Sequence, residues 1–179
     1  IDSVRFISNE SSGKQGYEIA LAFNRQGIDT TLIIGPSNLQ PIKGIKTVKV
    51  SSSSEMFKEV KKALPVDVAV CAAAVSDYKP LKKSKEKIKK TDNSLNVEMK
   101  KTEDILEYLG KNNQNRPKFV AGFSAETENI INNSILKMKN KNSDLIIAND
   151  VSNKKIGFNS DFNEVTLIES NGKTNVIKK

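Results

Sequence analysis

Val66-Asp67-Val68-Ala69-Val70-Cys71-Ala72-Ala73-Ala74-Val75-Ser76-Asp77 is the stretch on which the reading of this chain turns. Val66–Ala72 has the continuous apolar character of a strand buried on both faces, the habit of parallel sheets covered by helices. It stops in three alanines and a polar turn. The flanking segments alternate in period. Val4–Ile7 reads as a short strand, and Lys14–Gln26 as a helix with Gly16, Ile19, Ala20 and Phe23 inward and Gly27 as its stop. Thr30–Ile34 and Thr47–Val50 read as strands, and Ser51–Ser54 offers N-caps for a helix through Leu64. Further on come a helix Asp104–Lys111, a strand Lys118–Phe123, a helix Glu128–Asn142 and a strand Asp144–Ala148. Val165–Glu169 and Thr174–Ile177, joined across Asn171-Gly172, read as a closing hairpin. Such alternation predicts an α/β fold: a doubly wound, mostly parallel sheet with helices on both faces and a C-terminal β-hairpin, as one domain over residues 1–179.

The regularity breaks between Val75 and Lys101. A basic run, Lys85-Glu86-Lys87-Ile88-Lys89-Lys90, precedes a strand at Leu95–Lys100. A run this charged has little apolar surface with which to fold alone, so residues 79–94 are expected to form a flexible basic flap.

Composition narrows the chemistry. Histidine is absent from the 179 residues, which removes imidazole bases, Ser-His-Asp and Cys-His pairs and most zinc sites. The single cysteine, Cys71, excludes an internal disulfide framework and fits a reducing cytoplasm. It ends an apolar run, as a buried structural thiol does. No run approaches the ~20 apolar residues that span a bilayer, no signal-peptide pattern is visible, and a cytoplasmic location is expected. The formal charge of +8 suits either nucleic acid or a polyphosphate ligand. Arginine and aromatics are sparse, so an anionic small-molecule site is preferred to nucleic acid.

Three junctions carry the polar residues: Ser8–Gly16, Ala72–Tyr78 and Ala148-Asn149-Asp150. In a parallel α/β sheet they share one edge, where ligands bind. Ser11 and Ser12 before Gly13 and Gly16 suit an anion on a helix N-terminus, although ordinary capping accounts for them equally well. The loop is neither G-x-G-x-x-G nor a Walker A sequence. Asn9 stands where a side-chain amide holds a carbonyl or oxyanion. Ala72-Ala73-Ala74 permits close approach of a flat ligand, and Asp77 either binds it or caps the turn. Lys137 and Lys141 share one helix face, which alone reads as solvated surface.

Taken in order, these segments resemble the phosphopantothenate–cysteine ligase family, the C-terminal half of the bifunctional bacterial coenzyme A biosynthesis flavoproteins. The resemblance runs through Val4-Arg5-Phe6-Ile7-Ser8-Asn9, Ser11-Ser12-Gly13-Lys14-Gln15-Gly16, Ala72–Pro80 and Glu86-Lys87-Ile88-Lys89-Lys90. It continues through Val120–Thr127, Ala148-Asn149-Asp150-Val151 and Gly157-Phe158-Asn159-Ser160-Asp161. It implies a Rossmann-like fold and a ligation in two steps. Phosphopantothenate and CTP form an acyl-cytidylate and pyrophosphate, then L-cysteine displaces CMP, with Mg2+ accompanying the nucleotide.

The same resemblance implies that Asn9 orients the acyl group. Ser11, Gly13 and Gly16 cradle the pantothenate phosphate, and Asn149 binds the pantothenate chain. Ala72, Ala73, Asp77 and Phe123 meet the nucleotide. Lys87 neutralises the phosphates from the flap, and Lys137 and Lys141 hold the triphosphate tail. Glu103-Asp104-Ile105 replaces the family's Pro-Asp-Ile turn, leaving Asp104 and Ile105 as nucleotide contacts. The resemblance further implies a homodimer, a fused or separate flavin-dependent decarboxylase, no flavin in this chain, and a family first strand lying ahead of Ile1. The metal ligands are not assigned. The rival readings are an NAD(P)-dependent oxidoreductase, against which the missing glycine fingerprint counts, and a basic nucleic-acid-binding module.

Overall fold

The computed structural model describes residues 1–89, 94–112, 114–152 and 164–178. The chain opens without a strand. Asp2 is buried, and its Oδ1 accepts the backbone N–H groups of Val4 (2.9 Å) and Arg5 (2.8 Å). That side chain therefore takes amides a ladder would need, and Val4–Ile7 is a largely exposed irregular segment rather than the expected strand. Phe6 is 80% exposed.

Helix α1 spans Lys14–Arg25 and begins at Gly13, whose φ of 74° suits glycine. Strands β1 (Thr31–Ile34) and β2 (Lys46–Lys49) form a parallel pair. Helix α2 (Ser53–Ala63) starts with a reciprocal cap: Ser52 Oγ accepts the Glu55 amide and Glu55 Oε2 accepts the Ser51 amide. Strand β3 (Val68–Cys71) leads to a short antiparallel pair, β4 (Tyr78–Pro80) and β5 (Met99–Lys101). Helix α3 (Ile105–Lys111), strand β6 (Phe119–Glu126), helix α4 (Ile130–Lys141) and strand β7 (Leu145–Asp150) follow. Strands β8 (Glu164–Glu169) and β9 (Thr174–Lys178) close the chain as an antiparallel hairpin.

The α/β class and the closing hairpin match the sequence reading, and the fold is Rossmann-like. The continuity of the sheet differs. Its main part runs β3-β6-β7-β8-β9, parallel from β3 to β7 and antiparallel thereafter, while β1-β2 stands apart. Among the described residues no strand pairs with the second edge of β1 or of β3. Both strands line one open cleft. That is why β3 is half-buried, with Val68 44% exposed, instead of covered on both faces.

Two apolar clusters flank this opening. Ala20, Ile42 and Ile45 pack with Tyr17, Leu21 and Leu32 on one side. The larger core gathers Leu106, Leu109, Val120, Met138, Ile146, Ala148 and Ile168. Val120, Ile146 and Ile168 have no exposed surface, and each such burial contributes roughly 1.5–3 kcal/mol.

Helices α3 and α4 meet at unusually short range. A Cβ on Gly110 would lie 2.0 Å from the Lys141 carbonyl oxygen, and one on Gly122 would lie 2.4 Å from Leu106 Cδ2. Arg116 seals the junction, donating to the carbonyls of Gly110 (3.0 Å), Pro117 (2.9 Å) and Asn142 (3.0 Å) and to Asp144 Oδ2 (2.9 Å). These bonds satisfy carbonyls at the ends of two helices. Gly110→Ala is expected to destabilise the protein by about 1–3 kcal/mol, since backbone cannot yield as a side chain does. A denaturant midpoint equal to that of the parent would show that the helices separate without cost.

Candidate functional site

The cleft between the two apolar clusters has a volume of about 3100 Å3. Ligand pockets of small molecules measure roughly 300–1,000 Å3, and the excess here includes the opening between β1 and β3. Asn9, Ser11, Gly13, Gly16, Ala72, Ala73, Asp77, Asp104, Ile105, Phe123, Lys137, Lys141 and Asn149 all line it. Lys87 does not.

Two junction loops are tied together. Asn9 Nδ2 donates to the Val75 carbonyl oxygen (3.3 Å), and the first turn of α1 rests on the end of β3, where Gly16 faces Ala72. A Cβ added to Gly16 would stand 3.6 Å from that of Ala72. Ser11 Oγ accepts the Gly13 amide and Ser12 Oγ accepts the Lys14 amide, so the hydroxyls shape the loop itself. No acidic residue lies in the first turn of α1 to oppose an anion.

On the opposite wall, Asp104 caps α3: its Oδ1 accepts the Glu107 amide (2.8 Å) while its Oδ2 pairs with Lys141 Nζ (2.7 Å). Lys141 also meets Glu107 Oε2 (2.9 Å), and both carboxylates raise its pKa. Glu107 is in turn held by Lys111 (2.7 Å) and Lys141, which bring its pKa down to about 2. Lys137, one turn earlier on α4, has no ion-pair partner among the described residues. The two lysines share a face as their spacing predicts, but they differ in charge environment.

Asn149 sits on β7 with a buried Oδ1 that lacks a hydrogen-bond partner among the described residues. Such an oxygen costs roughly 1–3 kcal/mol until a donor reaches it. Phe123, on β6, also lines the cleft. Ser124 Oγ donates to Glu126 Oε1 (2.6 Å), and Asn133 Nδ2 donates to Glu126 Oε2 (3.1 Å).

Glu126 went unassigned in the sequence reading. The signal was the alternation that puts Ser124 and Glu126 on one face of β6. Lys79, which donates to Ser54 Oγ (2.8 Å) and Glu103 Oε2 (2.9 Å), was missed as well, because those contacts are tertiary.

The segment expected to form the basic flap is described through residue 89 and from residue 94 onward. Residues 79–80 belong to β4, and the Ile88 backbone is tethered at both polar groups. Its amide donates to Asp2 Oδ2 (3.1 Å), and its carbonyl accepts from Arg5 (2.9 Å). Arg5 and these amides hold the Asp2 carboxyl well below the usual range. Lys90 and the Gly157–Asp161 motif lie outside the described residues.

Among the described residues no three His, Cys, Asp or Glu side chains cluster as metal ligands. Mg2+ is ordinarily held by one or two carboxylates together with substrate phosphates. Asp77 lines the cleft wall, whereas Asp104 and Glu107 already face lysine. No helix among the described residues is long and apolar enough to cross a membrane.

A family model described as the DNA/pantothenate metabolism flavoprotein C-terminal domain matches residues 1–179. The chain is 40% identical over 173 residues to the coenzyme A biosynthesis bifunctional protein CoaBC of Haemophilus influenzae, covering 96% of this chain and 43% of that protein. It is 40% identical over 176 residues to the protein of the same name from Escherichia coli, with the same coverage of each. Among solved structures, the C-terminal domain of a CoaBC bifunctional protein superposes with a TM-score of 0.80 at 34% identity. That match covers 100% of this chain and 79% of that one. The chain spans less than half the length of the curated relatives it matches.

The Cys71 thiol, half-buried at the end of β3, is pushed up to about 12 by burial and by the charge of Asp104, which makes it a weak nucleophile. Folded protein held with iodoacetamide at pH 8 should keep an unmodified Cys71 that alkylates once denatured. Rapid labelling of the native chain, read by mass spectrometry, contradicts this.

Proposed function

This chain belongs to the family of the DNA/pantothenate metabolism flavoprotein C-terminal domain, and on that premise we propose that it ligates 4'-phosphopantothenate to L-cysteine using CTP. The observation that carries the reading is the Asn9–Val75 bond. It sets the Ser11–Gly16 loop, suited to a terminal phosphate, beside the Ala72–Asp77 loop, suited to a nucleotide.

In the proposed first step, the pantothenate carboxylate oxygen attacks the α-phosphorus of CTP. The bond to the β-phosphate bridge breaks, giving acyl-cytidylate and pyrophosphate. In the second, the cysteine amine attacks the acyl carbon. The bond to CMP breaks, and the amine's proton passes to solvent. Asn9 lies at the seam between the subsites and donates to oxygen there, the role of an oxyanion donor. The orphaned Asn149 Oδ1 offers an acceptor to a pantothenate amide or hydroxyl. Lys137 and Lys141 receive the triphosphate, and Asp104 and Ile105 border it. Phe123 packs on the nucleotide, whose phosphate charge a bound Mg2+ would shield. Lys87, outside the cleft here, acts only if the 85–89 limb moves inward.

The proposal extends to a cytoplasmic homodimer in which residues 1–179 form one ligase domain, working with a fused or separate flavin-dependent decarboxylase. It also places one further strand between the open edges of β1 and β3, which would join the two parts of the sheet.

The direct test supplies CTP, 4'-phosphopantothenate and cysteine and follows pyrophosphate and the amide product. Thermal protection by NAD or NADP with none by CTP would replace this reading with an oxidoreductase. Within it, Asn9→Asp should fold normally and form amide about 100- to 1,000-fold more slowly, since a carboxylate repels the charge that the amide stabilises. An unchanged rate makes Asn9 a loop residue only.

A further inference from the structure

We propose that Glu107 is an internal counter-ion for Lys141 that an incoming polyphosphate must displace, so that Glu107 sets how tightly this cleft holds a nucleoside triphosphate. The inference rests on the reading of Lys137 and Lys141 as a triphosphate site, and adds a residue that neither the motifs nor the family resemblance assigns.

The geometry has three parts. Lys141 Nζ lies between Asp104 Oδ2 (2.7 Å) and Glu107 Oε2 (2.9 Å), so its charge is met twice before any ligand arrives. The two carboxylates are not equivalent. Asp104 is fixed by its capping bond to the Glu107 amide, and losing its position would cost the start of α3. Glu107 has a second cation: its other oxygen, Oε1, meets Lys111 Nζ at 2.7 Å, the i, i+4 partner on the same helix. When phosphate oxygens take Lys141, Glu107 keeps Lys111 and is not left as an uncompensated charge. The exchange is therefore inexpensive and reversible. Asp104 holds the ammonium in place throughout.

Lys137 and Lys141 thus do different work. Lys137 offers a charge without an ion-pair partner among the described residues, whereas Lys141 offers one in competition. Departing pyrophosphate is replaced by Glu107, which lowers retention of the product as well as affinity for the substrate. Glu107 acts through Lys141 and is a positioning residue.

The test measures binding of inorganic tripolyphosphate and of CTP to the folded chain by calorimetry. Glu107→Gln should tighten both about three- to fivefold, the scale of an exposed ion pair. Lys111→Gln, which leaves Glu107 only Lys141, should weaken both by a similar factor. Neither substitution should alter binding in a Lys141→Met background, because the effect runs through that ammonium. In turnover, Glu107→Gln should lower the KM for CTP and leave that for cysteine unchanged, a split that a merely structural role does not produce.

Unchanged or weaker binding by Glu107→Gln, in a protein whose parent binds CTP, overturns the counter-ion while the nucleotide site stands. An equal gain in the Lys141→Met background also overturns it, in favour of the general field of the cleft. A parent chain that binds neither probe removes the triphosphate reading, and this inference with it.

Discussion

The approach of α3 to α4 across Gly110 is the constraint on which the rest of the cleft depends. Absence of one side chain lets two helices touch backbone to backbone, and Arg116 then saturates the carbonyls at both ends. Because α3 cannot drift, its cap Asp104 and its first-turn Glu107 stand at fixed distance from Lys141 at the end of α4. The same helix is pinned to the sheet where Leu106 lies over Gly122. One wall of the site thus has its charges placed by packing that lies behind them.

The other wall is organised differently. Its helix, α1, rests on a small cluster around Ala20, Ile42 and Ile45, and its polar loop is shaped by local serine bonds. The walls meet near Asn9, Val75, Gly16 and Ala72. On the proposed reading, two ligands held on separate walls react, and their relative placement must then be set closely. The seam, more than either wall, has that task.

Period and junction chemistry made the α/β alternation, the helices and the closing hairpin readable from the residues. Loops that end parallel strands gather at one edge by topology, so the polar junctions could be assigned to one cleft before their contacts were known. Features set by tertiary pairing were not readable. Val4–Ile7 has the residues of a strand, but the Asp2 carboxylate captures the amides of Val4 and Arg5. Lys137 and Lys141 look alike in sequence, and only the fold brings Asp104 and Glu107 against one of them. Lys87 follows the same logic: its limb is fastened at Ile88 by residues more than eighty positions away.

The missing imidazole and the raised thiol pKa bear on acidity. Histidine and cysteine are the side chains whose ordinary titration lies nearest neutrality. This chain has no histidine, and its single cysteine is pushed up to about 12. The protein therefore brings neither of the usual proton switches to the physiological range. A rate that varies there is then set by groups other than these two side-chain types, ligands included. Aspartate, glutamate and lysine, the charged residue types of the cleft, ordinarily titrate well away from neutrality.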